Sequence, residues 1–360
     1  MNWRVVPLLA AIGLVAACAT TRTGPSGGAA APSDARSVVT EASVRALLFT
    51  LAADSMEGRG TATVGGARAA RYIAEQMRHA GIEPAGDSGY FQRVPLRMTS
   101  VERVGRDSVR RTVQSFSLLR SMADLDTLPA ARRRIAVNVV GIIRGTDPVL
   151  RDSAVLVDAH YDHLGMRSPG VNGDTIYNGA DDDASGTVAV LEIAKAIAAG
   201  PRPKRTIIFA ATTGEETGLL GTRYYIAHPV VPLARMTANL EIEMIGRPDS
   251  LAGGRGRGWL TGFERSTMGA MFKAAGLAIV PDARPDQSFF TRSDNIAFAR
   301  AGIPAHTLSS FNLHNDYHQP SDEASKADIP HMTAVIRSAV AAVRLLADGP
   351  APQWNPGGKP

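Results

Sequence analysis

AVLVDAHYD, Ala154–Asp162, decides the fold. Four of its first five residues are valine, leucine or alanine, and the run ends abruptly in His160, Tyr161 and Asp162. A short continuous apolar run rich in β-branched residues reads as a strand buried on both faces. Working outward, VNVVGIIRG (137–145), RTIIFAATTG (205–214) and ANLEIEMIG (238–246) have the same texture, and WLTGF (259–263) and IPAHTLSS (303–310) follow. Helical patterns alternate with them: ASGTVAVLEIAKAIAAG (184–200), ETGLLGTRYYIAHP (216–229), STMGAMFKAAG (266–276) and IPHMTAVIRSAVAAVRLLADG (329–349). Before them, EASVRALLFTLAAD (41–54) and GGARAARYIAEQMRHAG (65–81) read as amphipathic helices, the second stopping at Gly81. Strand alternating with helix indicates an α/β domain whose sheet is covered on both faces. The Arg-rich stretch from Gly89 to Ala136 reads as strands and loops.

The ends of these strands carry the chemistry. Ala154–His160 runs into His160 and Asp162, the strand from Arg205 into Glu215 and Glu216, and the strand from Ala238 into Glu241 and Glu243. In open α/β sheets, ligands bind beyond the carboxyl ends of the strands. NGADDDASG (178–186) follows the first of these ends, with three adjacent aspartates between glycines, and HNDYHQPSDE (314–323) brings His314 and His318. Taken singly, each residue has a structural reading: a capped turn, a helix dipole partner, a loop histidine. Together, imidazoles and carboxylates on one rim suit a divalent transition metal such as zinc.

Bulk properties exclude several alternatives. The 360 residues are 44% hydrophobic and 20% charged, a globular composition with room for a sizeable core. The net charge of +5 is carried mostly by arginine, some of it between Arg93 and Arg151. No aromatic residues interleave those arginines as single-strand binding would want, so a solvated face is expected and no nucleic-acid partner. MNWRVVPLLAAIGLVAAC has a basic Arg4 and an apolar run too short to span a membrane, ending at Cys18, the only cysteine. Val15–Cys18 resembles the lipobox of bacterial lipoproteins. The expectation is a signal peptide over 1–17, lipid on Cys18 holding the protein to a membrane in the cell envelope, and a Gly/Pro/Ser-rich tether over 18–36. A single domain then fills 37–348, and 349–360 is expected to form a disordered tail.

HYDHLG, NGADDDASG, ATTGEETGLLG and DYHQPSD, in this order, resemble the co-catalytic di-zinc exopeptidases, family twenty-eight of the metallopeptidases. The stretch DSMEGRGTATVGGARAARYIAEQM (54–77) is similar to the lead-in of many bacterial members. The resemblance covers roughly Ser37 to Asp348. It implies a three-layer α/β/α sandwich with a mixed central sheet; many relatives insert a protease-associated domain, and the region from Tyr90 to Ala136 is too short for one, so none is expected. Carried over by position, it implies two zinc ions per chain: His160 and Glu243 on one, Glu216 and His318 on the other, and Asp182 bridging both. It makes Asp162 the partner orienting His160, and Glu215 the base toward a water held between the metals. A cis peptide is implied at Asp182–Asp183, and Tyr317 is a candidate for stabilising the oxyanion. Family aminopeptidases usually carry Asp where this chain has Glu243, and Glu241 is a lesser candidate on the same strand. His163, His228, His306 and His314 take no part in these motifs. The expected activity is removal of N-terminal residues from peptides. Carboxypeptidase or dipeptidase action, a glutaminyl-cyclase-like single-zinc enzyme, and a binding lipoprotein without catalysis are the alternatives.

Overall fold

The computed structural model describes residues 1–3, 38–104 and 110–360. The expected signal peptide beyond residue 3, the expected lipid site at Cys18 and the expected tether fall outside the described residues. In chain order the helices are α1 (Glu41–Leu51), α2 (Val64–His79), α3 (Gly186–Ala199), α4 (Leu220–Ala227), α5 (Thr267–Ala274), α6 (Asn295–Arg300) and α7 (Ile329–Asp348). The strands are β1 (Glu83–Pro84), β2 (Phe91–Val104), β3 (Arg110–Leu118), β4 (Arg133–Ile143), β5 (Ala154–His160), β6 (Gly165–Val171), β7 (Asp174–Tyr177), β8 (Thr206–Thr212), β9 (Met236–Ile242), β10 (Gly258–Leu260), β11 (Ile279–Pro281) and β12 (Ala305–Ser309). Nine strands run in the order β11-β10-β12-β9-β5-β8-β4-β2-β3, with β1 paired to β4. β6 and β7 form a separate hairpin.

The sheet is mixed. β9, β5 and β8 lie parallel at its centre, whereas β4, β2 and β3 continue it antiparallel. Alternation along each central strand divides two cores, because successive side chains point to opposite faces. Val155, Val157, Ile207, Phe209, Ala238 and Leu240 meet α1, α2, α3 and α7 on one face. Leu156, Ile208 and Ala210 meet α4 and α6 on the other. The result is the three-layer α/β/α sandwich. Helix α7 is long and apolar enough to cross a membrane, but most of its apolar residues are buried in the first core.

The Arg-rich stretch before β4 is a long β2–β3 hairpin at the sheet edge. Helix α4 begins at Leu220, four residues later than the pattern suggests. Gly218 and Leu219 sit in the left-handed region, so Gly214–Leu219 makes a turn instead. Residues 349–360, expected to be a disordered tail, lie against the domain. Trp354 bridges to Ser266, and its Nε1–H donates to the Gly302 carbonyl at 2.9 Å. A half-buried indole beside Phe290 and His306 offsets the entropy of ordering this Pro/Gly-rich segment.

His306, on β12, is fully buried. Its Nδ1–H donates to the Thr261 carbonyl at 2.7 Å, and its Nε2 accepts from the Ser266 hydroxyl at 2.7 Å. Burial pushes its pKa down to about 4, from about 6.5 in an unfolded chain. The depressed value gives stability that is present above pH 6.5 and lost as pH falls toward 4. The loss is expected to reach about 3 kcal/mol. Melts from pH 7 to pH 4 check this: wild type should lose its stability margin over His306→Gln within that window. A margin that does not change with pH refutes it.

Candidate metal centre

Three parallel strands deliver the site because they stop at the same level. His160 ends β5 and pairs in register with Thr212, the end of β8, and β9 ends at Ile242 on the other side of β5. The turns beyond them carry Asp162 and His163, Glu215 and Glu216, and Glu243. The aspartate loop closes over this rim between β7 and α3, and the segment after β12 brings Tyr317 and His318. Of the residues expected from the sequence, His160, Asp182, Glu216, Glu243 and His318 come together around Asp182.

Two groups of donors share that carboxylate. His160 Nε2 stands 3.3 Å from Asp182 Oδ1 and 3.8 Å from Glu243 Oε1. On the other side, His318 Nε2 stands 3.0 Å from Asp182 Oδ2 and 3.3 Å from Glu216 Oε2. Two ligands each about 2.1 Å from one ion stand roughly 3–4 Å apart, so both groups fit a bound ion. A second observation agrees. His160 Nε2 and Glu216 Oε1 are buried without a hydrogen-bond partner, a cost that a metal bond would remove. Carboxylate and imidazole donors, with no thiolate, suit zinc.

The three aspartates have separate tasks. Asp182 alone faces the donors. Asp181 Oδ1 accepts from Gly246 N at 2.6 Å and its Oδ2 contacts His314 Nε2 at 2.8 Å. Asp183 Oδ1 accepts from Gly186 N at 2.9 Å and from Met244 N at 3.0 Å. The flanking carboxylates thus tie the loop to α3 and to the segment after β9, and the Asp182–Asp183 peptide is cis. Asp322 adds bonds from Asp181 N and Asp182 N. Arg59 is buried beneath: it donates to the carbonyls of Tyr161, Asn178 and Gly179, clamping the His160 turn to the aspartate loop.

Electrostatics follow from burial and from these neighbours. Burial opposes ionisation of Asp182, but His163, His160 and His318 hold its carboxyl well below the usual range. Burial likewise opposes Glu216, yet His163 and His318 pull it down to about 2. Burial opposes charging of His318, but Asp182 and Glu216 raise it to about 9. Glu215 behaves in the opposite way: burial pushes its carboxyl well up, and Glu243 and Asp294 add to the effect while His160 opposes it. It stands in neither donor group.

Asp162 plays a different part from the one implied. The Nδ1–H of His160 donates to the Asp162 backbone carbonyl at 3.0 Å, while the carboxylate lies 3.9 Å away. The turn after β5 brings the carbonyl to the ring and turns the carboxylate, itself fully buried, away from it. There it accepts from Glu215 N at 3.2 Å and from the Thr61 hydroxyl at 2.8 Å, so it fixes the turn that carries Glu215. Glu241 is turned away and fully engaged, accepting from Ser293, Asp294 N, Asn295 N and Thr307. Its even spacing from Glu243 does not put both in the site, because β9 ends between them. Tyr317 stacks on His318 at 3.9 Å and lines a recess with Glu243, Met244, Trp259, Phe289 and Arg292.

His163 and His314, left without a role from sequence, both belong here. His163 Nδ1 lies 2.7 Å from Glu216 Oε1 and 3.7 Å from Asp182 Oδ2. The H-x-D-H spacing was the available signal: a second imidazole three residues past the first, on the same turn. Arg59 was signalled only by its place in the lead-in stretch.

Comparison with known proteins agrees with this geometry. Residues 138–343 match the model of peptidase family M28. Leupeptin-inactivating enzyme 1 of Streptomyces exfoliatus is 30% identical over 193 residues, covering 52% of this chain and 38% of that protein. The chain spans well under half the length of the curated relatives it matches. A zinc aminopeptidase structure from Bacillus subtilis covers 87% of this chain and 96% of its own at a TM-score of 0.61 and 15% identity. A glutaminyl cyclase structure from Bacteroides thetaiotaomicron covers 85% and 98% at a TM-score of 0.54 and 16% identity. Those structural likenesses speak to the fold; the family match runs from β4 into α7, across the strand ends and turns that gather the donors, and the chain belongs to peptidase family M28.

Proposed function

We propose that the chain is a zinc-dependent aminopeptidase holding two zinc ions. The observation that carries this is Asp182 shared between two donor groups, with the carboxylate of Glu215 beside them and outside both. His160, Asp182 and Glu243 would hold one ion, and Asp182, Glu216 and His318 the other. Zinc there supplies Lewis acidity toward the scissile carbonyl and lowers the pKa of water.

The chain's own groups do the rest. A Glu215 carboxylate oxygen takes the proton of the attacking water and hands it to the leaving amine nitrogen. Asp162 and Thr61 fix the turn that aims this carboxylate. Burial pushes the Tyr317 phenol up, first by desolvation and then through Asp182 and Glu243, so it stays protonated and able to donate to a developing oxyanion. The lipobox-like Val15–Cys18 supports a lipid-anchored enzyme of the cell envelope acting on peptides.

Metal content and a panel of aminoacyl anilides test the reading. About two zincs per chain, with hydrolysis abolished by chelation and restored by zinc, is the expected result. Ring closure of N-terminal glutamine without anilide hydrolysis would make the chain a cyclase, and an inert protein loaded with metal would make it a binding protein.

A further inference from the structure

We propose that His163 is a fourth protein ligand of the second metal, beside Asp182, Glu216 and His318. The inference rests on the two-zinc reading and goes beyond its ligand set. Three observations converge on this imidazole.

The ring is fully buried, yet neither of its nitrogens has a hydrogen-bond partner. A buried imidazole left so carries the cost of an unsatisfied polar group. Its Nδ1 stands 2.7 Å from Glu216 Oε1, but both atoms remain without a hydrogen bond. The ring nitrogen and the oxygen therefore converge on a common point and do not aim at one another. His160 Nε2 has the same character on the other side, close to two carboxylates and bonded to neither. Finally, His163 Nδ1, an Asp182 oxygen and a Glu216 oxygen lie close enough together to hold one ion, as do the donors of His160, Asp182 and Glu243.

The backbone is built to keep the ring there. His163 leaves the β5 turn through a bridge to Gly60, and its ring packs on Gly179. Gly179 has a φ of 55°, and a Cβ added there would come within 2.5 Å of the ring. The two centres are then unequal. Four protein donors complete the usual coordination number of zinc, as in closed structural sites. The first centre, with His160, Asp182 and Glu243, has three and keeps a position open for substrate chemistry. The second ion should be the tightly held one, and the first the one that exchanges.

The test uses the full zinc-loaded chain. X-ray absorption of wild type should count about 1.5 imidazoles per zinc, against about 1 if only His160 and His318 bind. In His163→Gln, whose amide is polar and fills similar space but binds zinc poorly, competition with a chelator should show one ion weakened at least 100-fold. The cobalt spectrum of that site should change with it, and a melt of the metal-free variant controls for folding. Two ions held within tenfold of wild type, with an unchanged cobalt spectrum and about one imidazole per zinc, would overturn the proposal and leave His163 a packing residue. Wild type that holds fewer than two zincs overturns the two-zinc reading itself.

Discussion

On the proposed two-zinc reading, Glu215→Gln should lower kcat by roughly 10²–10⁴-fold while the zinc content stays that of wild type. The two halves of that expectation have separate causes. Glutamine has the shape of glutamate and keeps the backbone N–H that donates to Asp162, so the turn need not move. The amide, however, cannot take a proton from water. Desolvation raises the buried Glu215 carboxyl, His160 opposes the shift, and Glu243 and Asp294 add to it. Because Glu215 belongs to neither donor group, metal content should be untouched. Zinc analysis beside anilide hydrolysis reads both at once. A variant that loses metal would move Glu215 into the ligand set, and one that keeps full activity would place the base elsewhere.

How much of this was legible in the sequence depends on which physical rule governed each residue. β5 and β8 were readable because a strand buried on both faces needs an apolar run, and each has one, whereas β9 alternates its apolar residues with Thr237, Asn239 and Glu241. The rim followed, since His160, Glu215 and Glu243 come at the ends of those strands. What sequence could not supply was the direction of side chains once strand periodicity stops. Glu241 and Glu243 look equivalent by spacing, yet one serves Ser293 and Thr307 and the other faces His160. Asp181, Asp182 and Asp183 look interchangeable, and only the fold of the loop gives each its partner. The left-handed turn at Gly218 and Leu219 shortened α4, because turn geometry overrode the helical pattern of the residues around it. His163 was missed for the same reason: a turn residue has no periodicity to betray where its ring goes. The tail was misjudged because composition suggests flexibility, while one tryptophan with a surface to cover ordered it.

On the same proposed reading, Asp182→Asn should empty both centres, the largest effect on metal expected of any single substitution here. Its two oxygens face different partners, Oδ1 toward His160 at 3.3 Å and Oδ2 toward His318 at 3.0 Å. Asparagine keeps the shape but replaces one ligand oxygen with an amide NH2, which has no free lone pair for a cation, and removes the negative charge. Weakening of both ions by at least about 100-fold is expected, above the 10–100-fold typical of losing a supporting group outside the ligand set. Hydrolysis should fall below about 1% of wild type. The metal-free variant should also be less stable at neutral pH than metal-free wild type, because three imidazoles lose the carboxylate they hold well below its usual pKa against the pull of burial. The comparison that gives the test its force is Glu243→Gln. That residue approaches only His160 among the imidazoles, so its variant should release one ion and keep the other. If Asp182→Asn also kept one zinc at wild-type affinity, Asp182 would serve a single ion, and the two centres would be neighbours with no shared ligand.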